Sequence, residues 1–246
     1  MTAHDSRDAA TPADIVEAVR DELRHHADEA TRDGARRFFR EEITRYGVKT
    51  PVAREIARRY FRVIRNRGKR EVFALCEELF RSGYMEEAFI AADWADRVHS
   101  EYETGDFDVF EAWIGKYVDS WAKCDTLCNH AVGSFIEQFP EHLPGLKRWT
   151  GSRNRWLRRA AAVTLVLPAR RGLFIEDVLD IAGRLLQDPD DLVQKGYGWL
   201  LKEAGKAHPD EVFRFVMEHR KDMPRTALRY AIEKMPAEWK RQAMKR

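Results

Sequence analysis

The sequence predicts an all-α protein built from stacked helical hairpins, on three observations. Apolar residues recur at three- and four-residue steps along most of the chain, and no stretch sustains the two-residue alternation of a half-buried strand. Gly, Pro, Asn or Asp interrupt the pattern at short intervals. Helices of about 12–16 residues between such breaks each have one stripe to bury, and hairpins recurring every ~35–45 residues bury it by stacking on their neighbours.

The elements follow in order. Thr11-Pro12-Ala13-Asp14 is a helix start: Thr11 is the cap, Pro12 lacks an N–H where none is needed, and Asp14 meets the positive end of the helix. Ile15, Val19 and Leu23 then follow at four-residue steps. The pattern predicts further helices over 51–65, 69–81, 86–98, 107–118, 125–138, 154–167, 173–186, 192–206, 210–219 and 225–234. Gly47, Gly83, Gly105, Pro140, Pro168, Gly172, Pro189, Pro209 and Pro224 mark the breaks. Residues 1–11 are polar, carry no apolar signal-peptide core and are expected to be disordered, which leaves 12–246 as a single helical domain.

Composition narrows the function classes. The 246 residues are 44% hydrophobic and 34% charged, which suits helices with one buried and one solvated face. A net charge of only +2 excludes a general polycation, so any nucleic-acid reading rests on where the charges sit. Three cysteines make no disulfide framework and read as reduced thiols of a cytoplasmic protein. The longest uncharged apolar stretch, residues 160–169, is far short of the ~18 residues of a membrane helix.

The placement of charge is informative. Between Gly145 and Gly172 the chain carries Lys147, Arg148, Arg153, Arg155, Arg158, Arg159, Arg170 and Arg171 and no Asp or Glu. Such a block repels itself unless a polyanion or acids from neighbouring helices compensate it, and arginine forks suit phosphate oxygens. The tail from Lys221 to Arg246 is also basic-leaning, but with acids interleaved.

Three segments have chemical content. In Ser120-Trp121-Ala122-Lys123-Cys124-Asp125 the Trp121 ring and the Asp125 carboxylate are one helical turn apart. In Lys195-Gly196-Tyr197-Gly198-Trp199-Leu200-Leu201-Lys202, Lys195, Trp199 and Lys202 share a face. Trp156-Leu157-Arg158-Arg159-Ala160-Ala161 puts arginines at the edge of an apolar helix. Each has a structural alternative: the tryptophans as core, Asp125 as the cap of the next helix, Arg159 as the partner of an acid. Together they offer aromatic plates, a carboxylate and an arginine, which would suit a cationic ligand held against a phosphate backbone.

These segments, with Asn154-Arg155 ahead of the second, Gln194 and Glu203 flanking the third, and Tyr46-Gly47-Val48-Lys49-Thr50-Pro51 near the start, resemble the signature segments of the AlkD-like DNA alkylation repair family. The resemblance runs in order over nearly the whole chain. It implies a right-handed α-α superhelix of HEAT-like repeats that holds duplex DNA in a concave basic groove. It also implies a monomeric glycosylase that removes N3- and N7-alkylated purines, without metal or cofactor, in the cytoplasm at the nucleoid. By match, Asp125 is the catalytic carboxylate, Trp121 and Trp199 are plates against the deoxyribose, and Arg159 clamps a phosphate. Arg148, Arg153, Arg155, Arg158, Lys195 and Lys202 join Arg159 as expected DNA contacts. Phe38, a further expected DNA contact, falls where active members place a tyrosine, and Lys202 stands where some have an arginine.

Three rivals remain open. Cys124, Cys128 and His130 raise a zinc site, although i,i+4 thiols without further paired ligands are better read as packing residues. A non-catalytic relative that binds branched or distorted DNA would use the same groove. A HEAT-like protein-interaction scaffold would not explain the basic block.

Overall fold

The computed structural model describes residues 11–34 and 36–245. Most of the segment expected to be disordered, residues 1–10, lies outside the described residues. The described chain is all-helical, as the periodicity predicts, and divides into two compact units, Met1–Val98 and His99–Arg246.

The first unit holds α1 (Pro12–His25), α2 (Glu29–Gly34), α3 (Thr50–Ile64), α4 (Lys69–Arg81) and α5 (Met85–Arg97). The predicted start of α1 forms as a reciprocal cap: Thr11 Oγ1 accepts from the Asp14 N–H at 3.2 Å, and the Thr11 N–H donates to the Asp14 carboxylate at 2.9 Å. Helices α4 and α5 pair, α3 packs on α5, and α1 rests on α3 and α4. The segment Tyr46-Gly47-Val48 is stapled to the start of α5. Its three consecutive backbone N–H groups donate to the buried Glu86 carboxylate at 3.1, 2.9 and 3.1 Å, and the Tyr46 hydroxyl donates to Glu87 at 2.6 Å. Gly47 makes this possible. Its φ is +91°, and a Cβ there would sit 2.4 Å from the Asp28 carbonyl oxygen.

The second unit holds α6 (Asp106–Tyr117), α7 (Trp121–Leu127), α8 (Gly133–Gln138), α9 (Leu143–Trp149), α10 (Arg155–Val163), α11 (Val166–Arg170), α12 (Ile175–Arg184), α13 (Asp191–Ala204), α14 (Pro209–His219), α15 (Arg225–Ala231) and α16 (Ala237–Met244). One row of contacts runs α6–α10–α13–α15, with α9 and α12 packed against it and α14 paired with α16. An aromatic cluster fills the start of this unit: Phe107 stacks on Trp149 at 4.9 Å, and Phe110 meets Phe135 and Trp113 edge-on at 5.8 Å.

Several boundaries differ from the expected ones. The helix predicted from residue 125 begins at Trp121, because Ser120 caps it by accepting from the Lys123 N–H, and a π-helical turn over Cys128–Val132 divides it from α8. Asp125 is therefore mid-helix and is not the cap of another helix. Pro168 is no break. It occupies the first turn of α11, where its missing N–H costs nothing, and the chain turns instead at Thr164–Leu165. Helices α2, α9 and α16 were not predicted; each is eight residues or shorter.

The α13–α15 contact requires a glycine. A Cβ on Gly198 would lie 2.8 Å from the Ala227 carbonyl oxygen and 2.8 Å from Tyr230 Cβ. Gly198→Ala is therefore expected to destabilise the protein by about 1–3 kcal/mol despite alanine's better helix propensity. At Gly196 the nearest atoms would be 3.5 Å away, an ordinary contact, so Gly196→Ala is expected to be near neutral. Denaturant melts of the two variants check the contrast, and equal stabilities would refute it.

Candidate nucleic-acid interface and active site

The second unit brings three of the sequence segments together at Arg159. Helix α10 packs against both α7 and α13. From α10, Arg159 donates Nε to Asp125 Oδ1 at 2.8 Å and Nη2 to Asp125 Oδ2 at 2.7 Å, a bidentate pair. Its Nη1 donates to the Leu192 carbonyl in the first turn of α13. The pair is largely dry: the Arg159 side chain is 6% exposed and that of Asp125 15%.

Burial raises the Asp125 carboxyl above its ordinary range, and the charge and hydrogen bonds of Arg159 oppose that rise. Burial also works against the Arg159 cation, but the Asp125 contact outweighs it and lifts the guanidinium above the usual arginine value. The carboxylate thus holds its charge through Arg159 more than through water. Each of its oxygens accepts one hydrogen bond from the guanidinium, so each keeps further acceptor capacity.

Trp121 stands one turn before Asp125 on α7 and is half-buried. Trp199 is half-buried on α13, one turn beyond Lys195. Trp156, by contrast, is core. It is buried, its backbone N–H is capped by Asn154 at 2.8 Å, and Arg155 lies 4.4 Å over its ring. Lys123, between Trp121 and Asp125, is buried and donates to Asp119 at 2.8 Å.

The basic block is compensated, which is the alternative reading of it. Lys147 pairs with Asp177 and Asp180 at 2.8 and 2.9 Å, Arg148 with Glu111 at 2.8 Å, and Arg155 with Asp190 at 3.3 Å. Arg158 holds Asp188 at 2.6 Å and also donates to the Ser152 and Arg153 carbonyls. Arg170 pairs with Glu203 at 2.7 Å, and Arg171 pairs with Glu137. Within this block only Arg153 is exposed with no ion pair among the described residues. The acids come from segments distant in sequence, so a local reading of the block overstates its free charge. Lys195 and Lys202 are likewise paired, with Asp191 at 3.2 Å and Glu233 at 3.1 Å.

Phe38 belongs to the first unit. It is 61% exposed in a 3-10 turn over Arg36–Phe38, with the Arg37 guanidinium 4.9 Å over its ring. Cys124 and Cys128 are fully buried and His130 is exposed, so these three do not converge. Among the described residues no group of three or more His, Cys, Asp or Glu side chains is placed to hold a metal ion. No described helix is long and apolar enough to cross a membrane.

The second unit thus sets a carboxylate and an arginine at the contact of three helices, in an all-helical protein. The family model described as DNA alkylation repair enzyme matches residues 19–235, and the chain belongs to that family. Among solved structures, one described as a predicted DNA alkylation repair enzyme from Enterococcus faecalis matches with a TM-score of 0.77 at 16% identity. That match covers 86% of this chain and 98% of the other, and it shows a shared fold. No curated protein matches the sequence.

Proposed function

We infer that the protein is a monofunctional DNA glycosylase that hydrolyses the N-glycosidic bond of N3- and N7-alkylated purines in duplex DNA. The observation that carries this reading is Asp125, a carboxylate oriented bidentately by Arg159, one turn from Trp121 and partly open to solvent. A purine alkylated at N3 or N7 already carries positive charge and leaves readily, so neither a strong general acid nor a metal is demanded. The bond from the sugar C1′ to the purine breaks with its electron pair going to the base, which neutralises it. The sugar is left as an oxocarbenium-like cation. Asp125 stabilises that cation, water adds to C1′, and the water proton passes to Asp125 or to solvent.

Trp121 and Trp199 present faces that attract the developing cation, about 0.5–2 kcal/mol apiece. Arg159 holds the Asp125 carboxylate in place, and a phosphate reaches the guanidinium only through donors that this pair leaves open. Acting on chromosomal DNA, the protein works as a monomer in the cytoplasm, at the nucleoid.

One observation favours the binding-only alternative. Asp125 is neutralised by Arg159 in the free protein, which weakens the field it offers a sugar cation. Release of free base from a duplex carrying 7-methylguanine separates the readings. We expect release above the spontaneous rate, and at the same rate in a chelator. Dependence on added metal would refute the cofactor-free chemistry. Duplex binding without release would leave the protein a DNA-binding member of its family.

A further inference from the structure

The 145–171 block is largely neutralised, and the first unit holds a separate run of unpaired cations on one helix face. Arg54, Arg58 and Arg62 on α3, with Arg65 at its C-cap, recur at four-, four- and three-residue steps and so share one helix face. All four are exposed, and among the described residues none of their guanidinium groups makes an ion pair or hydrogen bond. Their neighbour Arg59 differs, because it pairs with Glu22 and lies 5.5 Å over the Tyr60 ring. The opposite face of α3 buries Ala53, Ile56, Ala57 and Ile64, so the stripe points away from the core.

Intramolecular electrostatics do not account for the stripe. Like charges four residues apart repel on a helix. Cations near the C-terminus gain from the helix dipole, which covers Arg62 and Arg65. Arg54 lies in the second turn, beyond the reach of that gain, and Lys49 at the N-cap, where the dipole is adverse, adds another exposed cation. Glu55 borders the stripe without pairing to it. Six arginines of the second unit, by contrast, are matched with acids across long sequence distances: Arg148, Arg155, Arg158, Arg159, Arg170 and Arg171.

We propose that the arginine face of α3 is a docking surface for the phosphate backbone of duplex DNA, one that contributes sequence-independent affinity. The proposal rests on the DNA reading above and adds to it a second contact region outside the Asp125 site. The twelve residues from Arg54 to Arg65 span about 16 Å of helix. At one phosphate per ~3.4 Å of axis on each strand, it faces a run of about five phosphates. Planar guanidinium forks fit phosphate oxygens, and their charge complements the strand without selecting a sequence.

The test uses the full chain with Arg54→Gln, Arg58→Gln, Arg62→Gln and Arg65→Gln combined, beside a version carrying Lys at all four positions. Affinity for an undamaged duplex is measured by fluorescence anisotropy between about 50 and 200 mM salt, with helix content and melting temperature as folding controls. The Gln variant is expected to bind more weakly and to lose about 0.9 from the log–log salt slope per contact, up to about 3.6 in all. The Lys variant is expected to keep most of the slope. An unchanged slope in the Gln variant overturns the proposal. So does loss of binding to phosphatidylserine vesicles without loss of DNA binding, which would make the face a membrane contact. Base release by the parent is scored separately. Release with an unchanged slope sinks the stripe and spares the glycosylase reading, whereas a reduced slope without release does the reverse.

Discussion

Asp125→Asn is expected to slow release of 7-methylguanine by about 10²–10³, the usual loss when one aimed electrostatic group is removed. The substitution keeps the size of the side chain and removes the charge proposed to stabilise the sugar cation. A lesion already primed to leave depends less on such help, which sets the expected loss toward the lower end of that range. DNA affinity should be preserved or slightly improved, since a negative charge near the backbone is lost. The structure adds a second consequence. The Asp125 carboxylate is the charge partner of a nearly buried guanidinium, so its loss strands Arg159 and lowers stability as well. Release must therefore be measured well below the melting temperature of the variant, with binding on the same duplex. If the folded variant releases base as fast as the parent, Asp125 is not the catalytic carboxylate.

The second large effect is structural. Arg159→Ala removes one partner of a buried bidentate pair, together with the bond to the Leu192 carbonyl that ties α10 to α13. Removing one member of such a pair costs about 3–5 kcal/mol, because the other is left as an uncompensated buried charge. At about 2–4 °C per kcal/mol for a chain of this size class, the melting temperature should fall by about 6–20 °C. Replacing both members with apolar side chains, Arg159→Met with Asp125→Leu, is expected to recover much of that stability while abolishing base release. Activity and stability would then part company, as expected of a site that keeps a charge for function. A loss below about 1 kcal/mol in Arg159→Ala would mean that the pair is not held as described. In salt titrations Arg159→Ala also reports on phosphate contact: a slope lower by about 0.9 would place one phosphate on Arg159, and an unchanged slope would confine it to positioning Asp125.

The helices themselves were legible in the sequence because helix formation is decided locally. The cap at Thr11, the four-residue steps of Ile15, Val19 and Leu23, and the boundaries of α4 all follow from neighbours within a turn or two. The spacing of Trp121 and Asp125 needed no more than a continuous helix, and α7 supplies one. Pro168 shows the limit of such reading. A proline is a breaker or a first-turn residue according to where the chain turns, and that turn is set at Thr164–Leu165.

Charge was legible only as composition. Whether a cation is free depends on which acids fold beside it, and those acids are about 30 or more residues away for Arg148, Arg155, Arg158, Arg159, Arg170 and Arg171. The conspicuous acid-free block therefore proved mostly paired. The stripe on α3, whose four-residue steps were present in the sequence, became conspicuous only once its guanidiniums were found without partners. The sequence alone determined a helical protein with a carboxylate one turn from a tryptophan. Only the tertiary structure decided that Arg159 faces that carboxylate, because Coulomb contacts depend on distance in space and helical periodicity reports only the face on which a residue stands.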